Sequence, residues 1–249
     1  MNTNVSDKHI NRLAIPAIIA GVSEPILSLT DAAIVGHMPL NATASLAAVG
    51  IVSSFLSMLI WVLGQSRSAI SSIISQYLGA NKLEEVKSLP AQAITIILIL
   101  SILICTATIP FSEAIFKFYN ASGLLLDFSV EYYKIRIIGL PFTLYTFAIF
   151  GIFRGLQNTY HPMVIAIVGT SVNIILDLVL VYGITSLIEP MNLEGAALAS
   201  VLSQVLMAVM ATVLVLKITP INLKIKGPIN KDLTKFLIMV GNLILRTLA

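Results

Sequence analysis

Three carboxylates stand where a charge is costly. Glu24, Asp31 and Asp177 interrupt stretches made almost entirely of apolar residues, and an acid at the centre of a hydrocarbon layer costs about 2.5–3.5 kcal/mol on insertion scales. Such a group must face other helices or a wet cavity, where two chemistries are open to it. Carboxylate, amide and hydroxyl oxygens are the hard ligands that replace the hydration shell of a small cation. Low dielectric also favours the neutral form of a carboxyl, so the same residue can carry a proton instead. The sequence leaves Na⁺ and H⁺ both open.

Spacing groups these acids with other oxygen donors. Thr170, Asn173 and Asp177 fall at i, i+3 and i+7, one face of a helix. Glu24, Ser28 and Asp31 fall at i, i+4 and i+7 on another, and Ser200, Ser203 and Gln204 cluster on a third. A longer stripe runs through Ser54, Ser57, Gly64, Gln65, Ser68, Ser72 and Ser75. Four such faces can enclose a wet chamber. Small and hydroxyl residues on membrane helices also serve as close-packing faces, and that reading is preferred for the Ser54–Ser75 stripe. Glu24 precedes Pro25, where the backbone is disturbed, so it can equally serve a freed amide. Asp177, one turn beyond an amide side chain, fits a small cation best.

Other chemistry is poorly supported. His9, His37 and His161 share no ligand spacing, and the single cysteine, Cys105, lies in an apolar run as a packing residue. There is no Gly-rich phosphate loop, GxSxG or HExxH, so neither a nucleotide-driven machine nor a membrane-embedded hydrolase is indicated. No dense Lys/Arg block marks a nucleic-acid binder. Arg154 reads as an anchor near the membrane surface, Trp61 and the Tyr132/Tyr133 pair as packing or interfacial residues, and Pro16 as a kink.

The elements that must hold these residues are membrane helices. Of 249 residues, 57% are hydrophobic and 11% charged, against about 25% charged in soluble domains. A water-soluble fold could not hide that much apolar surface. Stretches of about 20 apolar residues read as spans. They run over Leu13–His37, Leu46–Leu78, Pro90–Ile109, Tyr132–Arg154, Met163–Ile184 and Gly195–Lys217, with a further helix starting at Phe236. The second exceeds a bilayer's thickness and is expected to tilt or protrude. Pro110–Phe128 is expected to be a loop with an interfacial piece. With the N-terminus inside, ten basic residues face the cytoplasm: Lys8, Arg12, Lys82, Lys87, Arg154, Lys217, Lys224, Lys226, Lys231 and Lys235. Only Lys117, Lys134 and Arg136 face outward, and Arg67 and Arg246 stay within spans. Hence the expectation is a multi-pass inner-membrane protein with a cytoplasmic N-terminus.

Several stretches resemble one family in order along the chain. "RLAIPAIIAGVSEPILSLTDAAIVGHM" is similar to the first helix of MATE (multidrug and toxic compound extrusion) transporters of the DinF-like branch. So are "SQYLGANKLEE", "FRGLQNTYHPMVIAIVGTSVNIILDLVLVYG" and "LEGAALASVLSQ", while "GNLILRTLA" resembles the start of that branch's seventh helix. The resemblance implies an all-α integral membrane protein, a six-helix transmembrane bundle forming one lobe plus the start of a seventh helix. It implies an N-terminal lobe at 1–218, a cytoplasmic inter-lobe linker at 219–235 and a truncated helix at 236–249. The family is about twice this length, with two lobes related as parallel repeats, so the chain is expected to be a fragment or a natural truncation lacking its C-terminal lobe.

In function, the resemblance implies a secondary antiporter, not an enzyme, exporting small organic and often cationic compounds against a Na⁺ or H⁺ gradient. The family's N-lobe cavity pattern falls on Asp31, on Asn173 with Asp177, and on Ser200, where the family often has Thr; Glu24 and Thr170 complete the candidate set. With Na⁺ as coupling ion, Asp31, Asn173 and Asp177 would hold it; no other cofactor is expected. Pro16 would let the first span bend as Asp31 changes charge. The alternative is a lipid-linked oligosaccharide flippase of the same superfamily. It would need cationic residues for a pyrophosphate, and only Arg67 and Arg246 lie within the expected spans.

Overall fold

Apolar helices with few charges, separated by short polar turns, build a bundle in which side chains leave the membrane's solvent only against each other. The computed structural model describes residues 7–184, 187–225 and 228–248, apart from the side chains of Lys8, His9, Glu24 and Leu248. The elements are α1 (Asp7–Gly36), α2 (Ala42–Leu63), α3 (Ser66–Gly79), α4 (Leu83–Val86), α5 (Leu89–Thr108), α6 (Ser112–Phe118), α7 (Leu124–Arg136), α8 (Leu140–Gly155), α9 (Tyr160–Tyr182), α10 (Asn192–Ile218) and α11 (Leu233–Leu248). Among the described residues six helical stretches are long and apolar enough to cross a membrane: Ile10–Gly36, Ala42–Gly79, Leu83–Phe118, Leu124–Gly155, Tyr160–Tyr182 and Asn192–Ile218. The protein is an all-α integral membrane bundle of six spans with a further helix, α11, beginning three residues before the expected Phe236.

One expectation needs refinement and another correction. The second span runs as one long stretch over Ala42–Gly79, with a local distortion at Gly64–Gln65 between α2 and α3. The Gly64 amide bonds back to Ile60, and a side chain there would strike Phe147 and that same carbonyl. The stretch expected as a loop is largely helical, with α6 and α7 inside Pro110–Phe128 and beyond it. Asp127, Glu131, Lys134 and Arg136 gave α7 a polar look, yet its other face carries Ser129, Tyr132 and Tyr133, all buried.

Backbone approach in the bundle depends on small residues. Gly151 and Gly155, four apart on α8, let α3 come into contact. A β-carbon at Gly151 would lie 2.6 Å from Arg67 O, and one at Gly155 would lie 2.7 Å from Ile74 Cβ. This is the small-xxx-small packing of membrane helices. On the other side of the bundle α9 lies between α1 and α10. Gly169 abuts Met207, and the Met191 amide donates to Leu180 O at 2.8 Å where α10 begins. An edge-to-face cluster of Phe55, Phe116 and Tyr133, with ring centroids 5.3–6.2 Å apart, fixes α7 against α2 and α6. Tyr133 then donates to Thr108 Oγ1 at 2.6 Å. Cys105 is buried, with its Sγ 3.2 Å from Ile137 O.

Candidate functional site

Among the described side chains, α1 buries a narrow stripe, Ser23, Asp31, Ile34 and Val35, and leaves Ile15, Ile18, Ile26 and Leu29 exposed. It is held to α9 near both ends by hydrogen bonds to its backbone. Thr159 Oγ1 donates to Leu13 O at 2.8 Å, and Tyr182 Oη donates to Ile34 O at 2.7 Å. Between these two points Asp31 of α1 meets Asn173 and Asp177 of α9. The helical spacing of the last two puts both side chains on the face that α1 and α10 cover. Asn173 and Asp177 are wholly inaccessible, and Ser200 of α10 and Asp31 are nearly so.

The four residues form one polar cluster. With its amide nitrogen turned to the acids, Asn173 Nδ2 donates to Asp177 Oδ2 and to Asp31 Oδ1, both at 3.0 Å, and its Oδ1 accepts from the Ser200 amide at 3.2 Å. Turned the other way, Nδ2 lies 3.5 Å from Ser200 Oγ and Oδ1 faces the carboxyl oxygens. In the first orientation Asp31 Oδ1 and Asp177 Oδ2 therefore flank the same amide nitrogen. Ser203 Oγ donates to Ser200 O at 2.9 Å, which steadies that turn of α10. Asp177 Oδ1 is buried with no partner.

Two carboxylates this close repel unless a positive charge lies between or beside them. The unpartnered Asp177 oxygen, the second carboxylate, the Asn173 carbonyl in its inward orientation and the Ser200 hydroxyl are oxygen donors. They suit a small hard monocation or a proton, and not a softer metal. Among the described residues no group of three or more His, Cys, Asp or Glu side chains gathers to hold a metal.

The other candidates fare differently. Thr170 is half-buried one turn before Asn173, and among the described residues no hydrogen bond joins it to the cluster. The side chain of Glu24 lies outside the described residues. Ser28, expected to share Asp31's face, is exposed. The Ser54–Ser75 stripe does not join the cluster, and it packs the bundle only in part, at the buried Gly64 beside Phe147. Ser54, Ser57, Ser68 and Ser75 are exposed, and the buried side of α2 and α3 is Val49, Val52, Phe55, Leu56, Ala69, Ile70, Ile73 and Ile74. The hydroxyl of Ser54 is satisfied within its own helix, donating to Gly50 O at 2.8 Å.

One charged residue of the cluster's surroundings was assigned elsewhere by sequence reasoning. Arg136, counted there among the outward-facing basic residues, ends α7 half-buried, with Nε inaccessible to solvent. It acts through space on both Asp31 and Asp177. The signal available was the i, i+4 spacing of Tyr132 and Arg136.

Comparison with known proteins follows the same lines. The MatE family profile matches residues 16–179. The chain is 29% identical over 223 residues to DNA damage-inducible protein F of Escherichia coli (strain K12), covering 89% of this chain and 46% of that protein. It is 26% identical over 215 residues to the probable multidrug resistance protein NorM of Thermotoga maritima, covering 84% of this chain and 44% of that one. Among solved structures, a MATE in a bent conformation superposes with a TM-score of 0.85 at 25% identity, over 97% of this chain and 53% of that chain. A MOP superfamily transporter from Pyrococcus furiosus superposes with a TM-score of 0.82 at 24% identity over 97% and 52%, a likeness of fold. The chain thus spans about half the length of the proteins it matches.

Proposed function

The chain belongs to the MatE family, a family of transporters and not of enzymes, and from that premise we propose that it is one lobe of a cation-coupled exporter of small organic compounds. The observation that carries the reading is the buried Asp31–Asn173–Asp177 cluster with an unpartnered carboxylate oxygen. The alternative as a lipid pyrophosphate flippase has less support, because carboxylates and not a set of cationic groups form the buried cluster, and relatives are named as multidrug proteins.

The cycle needs three properties of these residues. The pair binds a coupling cation, Na⁺ or H⁺, because two ionised acids in low dielectric are unstable alone. Asn173 holds the two acids together, its Nδ2 bridging Asp31 and Asp177. An arriving organic cation and the coupling ion compete for the same negative charge, so each lowers the other's affinity. A gradient of one then drives release of the other through differential affinity of two conformations.

Transport requires a second lobe for this one to move against, and the length of the relatives supports such a partner. The excess of basic residues on one side supports an N-terminus in the cytoplasm of a cell membrane. The test is flux of an organic cation out of vesicles under a Na⁺ gradient or a pH gradient. The assay uses the chain reconstituted with a complementary second lobe. Asp31→Asn and Asp177→Asn should abolish gradient-driven flux while insertion is retained. Wild-type flux in both variants would refute the assignment.

A further inference from the structure

A buried pair of acids beside a fixed positive charge has a definite electrical appetite. Arg136 closes α7, and the tight turn that follows it, Ile137–Gly139, lies against α10. At Gly139 a β-carbon would fall 1.8 Å from Gln204 Oε1, so this turn is seated on α10 one helical turn from Ser200. That seating directs the end of α7 toward the cluster. Tyr132, one turn earlier on the same side of α7, is fully buried. The guanidinium Nε is buried without a partner, as is Gln204 Oε1. An arginine stays charged at any physiological pH, so its charge is a permanent member of the site.

We propose that Arg136 is a specificity-determining residue that sets the capacity of the Asp31–Asp177 site at one positive charge. Two ionised carboxylates and one guanidinium leave a single negative charge, which a proton, one monovalent ion or one monocationic compound neutralises. A dication would overfill the site. This deepens the cation-seat reading and rests on it.

The test uses two dyes with the same aromatic core, ethidium with one positive charge and propidium with two. Their binding to the purified chain in zwitterionic nanodiscs is followed by fluorescence anisotropy. The wild-type chain should prefer ethidium. Arg136→Gln should shift the ethidium-to-propidium affinity ratio toward propidium by roughly tenfold or more, tenfold being the size expected for one charge acting over about 12 Å at an effective dielectric of about 20. Arg136→Lys should keep the wild-type ratio. The double variant Arg136→Gln/Asp31→Asn again carries one net negative charge and should regain the preference for ethidium, which a merely structural arginine would not produce. An unchanged ratio in Arg136→Gln, or no recovery in the double variant, overturns the proposal. If Asp177→Asn binds both dyes as the wild type does, or the wild type binds neither, the cation seat itself is wrong, an outcome distinct from failure of the charge count.

Discussion

Replacing Asp177 by Asn separates a functional charge from a structural one. The two side chains have nearly the same shape, so the new amide fills the same volume beside Asn173 and Asp31. What disappears is one negative charge at a position with no solvent access. A cation in contact with that carboxylate, about 4 Å from its centre at an effective dielectric of about 20, loses ~4 kcal/mol of attraction. Relief of repulsion between the two acids offsets part of this. The expected net loss is about a hundredfold in cation affinity, near 2.7 kcal/mol. Stability should move the other way or stay level, because the variant no longer buries two like charges side by side. The assay pairs cation binding to the purified chain with its thermal unfolding in the absence of cation. Affinity within a factor of three of wild type would refute the reasoning. So would a destabilisation above ~2 kcal/mol, which would mark Asp177 as a structural residue.

Three further perturbations probe how the site is held. Tyr182→Phe removes the bond to Ile34 O at 2.7 Å and should cost ~1 kcal/mol, seen as faster hydrogen exchange in the last turns of α1 with α9 unaffected. Gly155→Val places a side chain against Ser71 O and Ile74, both under 3 Å from its β-carbon. It should cost at least ~1–3 kcal/mol and reduce the folded yield, whereas Gly50→Ala, with nothing within 4 Å, should leave the yield unchanged. Asn230→Ala removes bonds from Nδ2 to Glu85 O at 3.2 Å and to Ser88 Oγ at 3.0 Å, and one from the Asp232 amide to Oδ1 at 2.9 Å. The loss should be ~1–3 kcal/mol, read as rapid exchange confined to the segment leading into α11.

How much of this was legible in the sequence depends on the range of the interaction. Asn173 and Asp177 declare their shared face through helical spacing alone, and Asp31 through the improbability of an acid in that stretch. Their meeting is a fact of packing between helices more than 140 residues apart in sequence. Only the family resemblance anticipated it. The Gly64–Gln65 distortion was hidden because a Ser- and Gly-containing stretch whose one charge is Arg67 reads equally well as a straight or an interrupted helix. The outward direction of Ser54, Ser57, Ser68 and Ser75 was hidden because hydroxyls suit a packing face and an exposed face alike. The place of Arg136 beside the cluster was hidden because counting it among the outward-side basic residues says nothing of which helix its own is seated on, here α10. The segment before α11 reads as a polar linker by composition. Gln92, which accepts from the Asn230 amide at 2.9 Å and donates to Pro228 O at 3.1 Å, ties it down through partners that no local pattern reveals.

The central claim is that Asp31 and Asp177 together form an exchangeable seat for positive charge. Infrared difference spectroscopy of the chain in lipid tests it most directly, by adding Na⁺ or ethidium and watching the carboxyl and carboxylate stretches. The account predicts a difference signal in this region for at least one of the two cations, absent from the Asp31→Asn/Asp177→Asn double variant. No carboxyl signal with either cation, or the same signal persisting in the double variant, would contradict it.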